Sequence, residues 1–209
     1  MCIRDRLLGA GFDTRAWRFA NRNQSTTVFE LDAPTTQQDK IKEFRKKDIP
    51  IPRELVFVPI DFDRQDIHNV LSRAGYKQDL TTLFIWEGVS MYLTAQAVDN
   101  TLEFIRSHAA PGSRLAFDYI HASVLRCENR YYGEKGIFDT IHKTGEGWTF
   151  GVEDGEIEPF LAARGFKCDK HFTSSDLERA YLTNPDGTLH ARINGTHCIV
   201  LASINGVKI

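Results

Sequence analysis

The stretch Leu7-Leu8-Gly9-Ala10-Gly11-Phe12-Asp13-Thr14-Arg15 constrains the fold more than any other. A short apolar run enters a glycine turn, and a helix is predicted to begin almost at once, with Asp13 or Thr14 as its N-cap. Gly9 and Gly11, with Ala10 between them, lack a Cβ and permit a tight turn and close ligand approach. The new helix offers N–H groups with no intrahelical partner. A second apolar run, Thr26-Thr27-Val28-Phe29-Glu30-Leu31-Asp32, follows and ends in acids. Asp32 stands 21 positions after Gly11, and Glu30 stands 19 after it. Such spacing suits a carboxylate at the end of a second strand, holding ribose hydroxyls. The two features together predict a nucleotide-type cofactor.

Onward from Asp32 the pattern alternates. Pro34 suits the first turn of a helix over Thr35 to about Lys47, whose charged residues (Lys40, Lys42, Glu43, Arg45, Lys46, Lys47) read as a solvated face. Leu55 to Ile60 reads as a third strand ending at Asp61-Phe62, with a helix from Arg64 to Arg73 and Gly75 at its stop. Thr81 to Trp86 is a fourth strand ending on Glu87-Gly88, and Thr94 caps a helix through about His108. A fifth strand spans Arg114 to Tyr119. This alternation predicts a doubly wound, mostly parallel α/β sheet, in which ligands gather at the carboxyl ends of the strands. The glycine turn, Glu30 and Asp32, Asp61, Glu87 and Asp118 all fall at such ends.

The pattern breaks over about 121–151, a Tyr-, Gly-, His- and charge-rich segment read as a lid or substrate insertion or as surface decoration. A helix is predicted over Glu153 to Arg164 with Gly165 as its cap, then a strand over Phe166 to Phe172. A final strand covers Thr196 to Ser203. The two late strands, read as joined without a helix, suggest an antiparallel hairpin at the sheet edge, giving seven strands in one domain.

The bulk properties fit a single domain with a substantial core at 209 residues. A net charge of −2 gives no electrostatic reason to expect nucleic acid as a partner. No apolar run approaches the ~20 residues of a membrane span, and no secretory signal is recognised, so the expected location is cytoplasmic. The four cysteines are scattered and the seven histidines lack zinc spacing, so no metal site is expected. Residues 1–6 are too polar for a buried parallel strand and read as a non-native leader, with the domain proper starting at Leu7.

Three ordered motifs carry a family resemblance. They are Leu8-Gly9-Ala10-Gly11-Phe12-Asp13-Thr14-Arg15 with Trp17-Arg18, then Phe29-Glu30-Leu31-Asp32-Ala33-Pro34, then Trp86-Glu87-Gly88-Val89-Ser90-Met91-Tyr92-Leu93. Thr14 stands where a dinucleotide fingerprint has its third glycine, which weakens the case for an NAD-dependent oxidoreductase. The chain instead resembles the leucine carboxyl methyltransferase family, in its bacterial branch of S-adenosylmethionine (SAM)-dependent methyltransferases. The resemblance implies a Rossmann-like methyltransferase fold and SAM as cofactor. By it, Gly9 and Gly11 lie against SAM, Asp32 holds the ribose, Asp61 and Phe62 bound the adenine, and Glu87 closes the methionine end; Ala10, Arg15 and Glu30 are further candidates for cofactor contact. Family members also carry an N-terminal helical segment with a basic residue for the SAM carboxylate.

The implied reaction is O-methylation, without metal, of a carboxylate or hydroxyl on a small-molecule or protein acceptor. A hydroxyl would need a base, for which His121 is the candidate, and Tyr92 is placed along the methyl path. The alternatives are the NAD-dependent oxidoreductase and an inactive SAM-binding remnant.

Overall fold

A computed structural model describes residues 4–22, 26–137 and 147–204. The first three residues of the predicted leader and positions 138–146 of the predicted insertion lie outside the described residues. Seven strands form one sheet: β1 (Arg4–Leu8), β2 (Val28–Asp32), β3 (Leu55–Pro59), β4 (Thr82–Trp86), β5 (Arg114–Ile120), β6 (Phe166–Phe172) and β7 (His197–Ile204). Their order is β3-β2-β1-β4-β5-β7-β6. β1 to β5 are parallel, and β7 runs antiparallel to both β5 and β6. β1 lies between β2 and β4, so the chain reverses its direction of winding there. Ligands of open α/β sheets bind at such a switch point.

The backbone of Arg4, Asp5 and Arg6 pairs in register with β2 and β4, so the first strand begins ahead of the boundary drawn at Leu7. The helices follow their start signals. α1 (Arg15–Arg18) takes Thr14 as its N-cap residue, without a side-chain hydrogen bond. α2 (Pro34–Lys46) has its proline at the first helical position, where the missing N–H costs nothing. α3 (Ile67–Arg73) begins only after Asp66, whose carboxylate accepts the Asn69 N–H at 2.7 Å. α4 (Ala95–His108) is capped by Thr94 and buries Ala97, Val98, Thr101, Leu102 and Ile105 on one face. α5 (Ala122–Leu125) follows β5 directly. The helix expected over Glu153 to Arg164 is reduced to α6 (Ile157–Ala162), because Gly155 takes a left-handed φ of +79° and ends any run from Glu153.

The late strands are indeed antiparallel, but they are joined by a helix. α7 (Ser174–Tyr181) carries a reciprocal capping box between Thr173 and Asp176, the Thr-x-x-acid pattern that marks a helix start. The main core lies between the sheet and α3, α4 and α6, around Phe84, Trp86, Leu102, Ile105, Leu115 and Phe117. No helix among the described residues is long and apolar enough to cross a membrane.

Candidate cofactor site

At the carboxyl end of β1 the chain leaves the sheet through two left-handed glycines, Gly9 (φ +70°) and Gly11 (φ +46°). The Gly9 and Ala10 N–H groups both donate to the Leu31 carbonyl, at 2.8 and 3.0 Å, tying the turn to the end of β2. A Cβ at Gly9 would sit 2.1 Å from Cγ2 of Val89, so no larger residue fits. Beside Gly11 the same test finds open space, so there only the backbone conformation asks for glycine.

Asp32, at the end of β2, holds this turn. One carboxylate oxygen accepts the Gly11 N–H, and the other accepts the Ala33 N–H at 2.6 Å. Each oxygen keeps a further lone pair for a ligand donor. Spacing alone predicted the ligand role, whereas the structure adds the bond across the turn.

Two cavities meet over the glycines and share Gly9, Gly11 and Gly88. The larger, about 800 Å³, is walled by Asp32, Asp61, Phe62 and Tyr92, with Gly147 at the returning end of the insertion. Asp61 accepts the Asp63 N–H at 3.1 Å and stands 3.7 Å from Arg64. Tyr92 packs edge-on against Trp148, with ring centroids 6.4 Å apart. The smaller cavity, about 600 Å³, holds Arg15 and Glu87. Asp13 accepts Arg15 Nε at 2.6 Å, and Glu87 accepts Arg15 Nη2 at 2.7 Å. Partial burial opposes both charges, yet the mutual hydrogen bond holds the Asp13 carboxyl below its usual range and raises Arg15.

Asp118, two residues before the end of β5, accepts the Gly88 N–H at 2.8 Å and so fixes the turn between the cavities. Burial pushes its carboxyl up to about 6, the neighbouring Glu87 charge adds to the shift, and the Gly88 bond opposes it. Sequence placed Asp118 at a strand end without a task, and Gly88 at φ +71° is the feature that gives it one.

Glu30 and His121 are not part of this arrangement. Glu30 is 1% exposed and its carboxylate meets the ammonium of Lys40, also 1% exposed, at 2.6 Å. Burial raises the Glu30 carboxyl and Lys40 opposes the rise. The expected ribose contact therefore rests with Asp32 alone, and Lys40 does not belong to the solvated face of α2. Side chains alternate along β2, so residue 30 shares its face with residue 32 but lies deeper beneath α2.

His121 is buried too. Its ring stacks on Tyr131 with centroids 4.2 Å apart, Nε2 lies 3.4 Å from Cys198 Sγ, and Nδ1 lies 3.7 Å from Asp154. Burial lowers its basicity, against the pull of Asp154. It lines neither cavity, because β5 extends through Ile120 and His121 pairs onward with Thr196 and Val152. Among the described residues no group of three His, Cys, Asp or Glu side chains could hold a metal ion.

Comparison with known sequences places this geometry. Residues 7–106, which span the glycine turn and the strand ends through Glu87, match the leucine carboxyl methyltransferase family. A Bacillus subtilis (strain 168) relative named "Putative S-adenosyl-L-methionine-dependent methyltransferase YktD" is 30% identical over 185 residues, covering 88% of this chain and 60% of the relative. A Mycolicibacterium paratuberculosis relative carrying the same description is 41% identical over 110 residues, covering 53% of this chain and 34% of the relative. The chain thus spans less than two thirds of the length of either relative.

Solved structures share the fold at low identity. PKMT2 from Rickettsia typhi, in complex with AdoHcy, superposes with a TM-score of 0.63 at 10% identity, covering 100% of this chain and 49% of that one. The mitomycin 7-O-methyltransferase MmcR gives 0.60 at 13% identity, covering 97% and 49%. The glycopeptide N-methyltransferase MtfA with sinefungin gives 0.56 at 12% identity, covering 99% and 81%. The Rossmann-like methyltransferase sheet, with antiparallel β7 between β5 and β6, is the fold of this chain.

Proposed function

We propose that this chain binds SAM over the glycine turn and belongs to an O-methyltransferase whose acceptor is a carboxylate of a small molecule or protein. One observation carries the cofactor reading: Asp32, Asp61 and Phe62, from the ends of two different strands, share one cavity with Gly9 and Gly11. The residues suit the ligand. Asp32 has lone pairs for the ribose hydroxyls, Asp61 an acceptor for the adenine amino group, and Phe62 an apolar surface for the base. The acidic rim also tolerates a sulfonium charge. Bound there, SAM supplies a methyl carbon on a positively charged sulfur, an electrophile with a good leaving group.

The chain's remaining work is alignment and exclusion of water. Tyr92, backed by the Trp148 ring, walls the cavity on the side of the insertion. A carboxylate acceptor is ionised near neutral pH and needs no base. The burial of His121 away from the cavities favours it over a hydroxyl. An NAD-dependent oxidoreductase is less well supported, since the dinucleotide-binding sheet order has no antiparallel strand inserted before its last one.

The test is transfer from SAM labelled in its methyl group to acceptor pools of small metabolites and peptides, followed by mild base. Label released as methanol is the expected result. Base-stable label on the product would contradict a carboxyl ester.

A further inference from the structure

The ends of β1 and β4 meet at the turn 87–90, and the residue that holds this turn belongs to neither strand. Asp118 of β5 ties it twice: its carboxylate accepts the Gly88 N–H at 2.8 Å, and its main-chain carbonyl accepts the Ser90 hydroxyl at 2.7 Å. Gly88 lines both cavities, and Val89 packs so closely on Gly9 that a Cβ there would overlap it. Beyond the fully buried Ser90, the same segment carries Tyr92 to the wall of the larger cavity. Gly88 itself stands at φ +71° with open space where a Cβ would be, so packing does not fix its peptide and the Asp118 bond does.

We infer that Asp118 is a positioning residue for the cofactor: its ionised carboxylate holds the Gly88 turn in the shape that seats a ligand across both cavities, and protonation loosens that hold. The inference rests on the SAM reading above. Charge strengthens the bond, because an ionised acceptor holds an N–H about twice as strongly as a neutral one. The charge is kept at a cost to folding. Burial pushes the Asp118 carboxyl up to about 6, with the Gly88 bond opposing and Glu87 adding to the rise. Near neutral pH the folded chain therefore carries an ionised group that packing alone would do better without. A perturbed acid at a turn shared by two cavities marks a functional position. The groups around it are few. Glu87 follows β4 and is itself paired with Arg15 of α1. On β7 the residue opposite is the apolar Ile199, with His197 two positions along the same face. From the turn, Ser90 offers only a hydroxyl.

Calorimetric titration of S-adenosylhomocysteine at pH 7.5 and pH 5 tests this, with thermal denaturation of each protein alongside. Wild-type affinity should fall by about three- to tenfold from the higher pH to the lower, since a carboxyl titrating at about 6 is mostly ionised at the first and mostly protonated at the second. Asp118→Asn keeps an oxygen for the Gly88 N–H but carries no charge. At pH 7.5 it should bind about three- to tenfold more weakly than the wild type, and its affinity should agree within about twofold at the two pH values. It should also melt at a higher temperature than the wild type at pH 7.5, because the costly buried charge is gone. A merely structural role would not set binding and stability in opposition. Titration of the ligand itself is common to both proteins and cancels in the comparison. Three results would overturn the role of Asp118 while leaving the SAM reading in place. They are a wild-type affinity independent of pH, an Asp118→Asn variant that keeps the wild-type affinity or its pH dependence (which would then belong to a histidine such as His197), and a variant whose affinity and melting temperature fall together. Failure of the wild-type chain to bind at either pH would remove the SAM reading itself, and this inference with it.

Discussion

Lys40 offers the sharpest energetic prediction. Its ammonium meets Glu30 at 2.6 Å, both side chains are 1% exposed, and the second Glu30 oxygen has no hydrogen-bond partner among the described residues. Replacing Lys40 by methionine keeps the helix-forming stem and removes the only charge that compensates a buried carboxylate in this pair. Breaking such a pair from one side typically costs about 3–5 kcal/mol. That is a large share of the roughly 5–15 kcal/mol that holds a domain together.

Replacing both partners, as Glu30→Leu with Lys40→Met, removes the orphaned charge and should recover most of the loss. The pH dependence has a definite sign. The buried Glu30 carboxyl lies above its usual value, so its ionised form is what costs stability in Lys40→Met. That cost is present above the unfolded-state value of 4.5 and fades as pH falls toward it. Urea denaturation of wild type, Lys40→Met and the double variant at pH 7.5 and pH 4.5 reads all three terms. A loss below about 1 kcal/mol at pH 7.5, or a double variant no better than Lys40→Met, would refute the buried-pair account.

Three further outcomes follow from the turns around the cavities. Gly9→Ala drives a Cβ into Val89 at a left-handed φ, whereas Gly11→Ala meets only the backbone cost of about 1–2 kcal/mol. Thermal denaturation should therefore rank Gly9→Ala well below Gly11→Ala, and equal midpoints would contradict the packing at Val89. Asp118, raised from 3.8 to about 6 by burial, holds its proton more tightly when folded, so its ionisation costs stability above pH 6. Wild-type stability should carry a component that falls by up to about 3 kcal/mol between pH 4 and pH 6. Asp118→Asn should lack that component, and parallel pH–stability curves for the two proteins would rule it out. His121→Gln should leave cofactor affinity unchanged within about threefold, since the ring lines neither cavity. A tenfold loss by calorimetry would show that His121 reaches the site.

Most of the rim was legible because alternating apolar runs locate strand ends, and the acids at those ends come with them. Asp32, Asp61, Phe62, Tyr92 and Glu87 all reach the two adjoining cavities. Glu30 could not be separated from Asp32 by pattern, since both alternate to the same face and only the depth of α2 distinguishes them. Lys40 disappeared into a charged run because burial of one lysine leaves no mark when its neighbours are solvated. The burial of His121 leaves no mark in the sequence, because one extra residue of β5, paired with β7, packs a histidine that the pattern places in a loop. The Thr173–Asp176 capping box was present in the sequence, and it alone separated a helical connection from a hairpin.

The most direct test of the whole account is calorimetric titration of SAM into the purified chain and into Asp32→Ala. Convergence of strand-end acids on one adenosyl site predicts saturable one-to-one binding by the wild type, and a loss of at least about tenfold in the variant, as expected for hydrogen bonds to a charged group. Absence of binding by the wild type, or equal affinity in the variant, would contradict it.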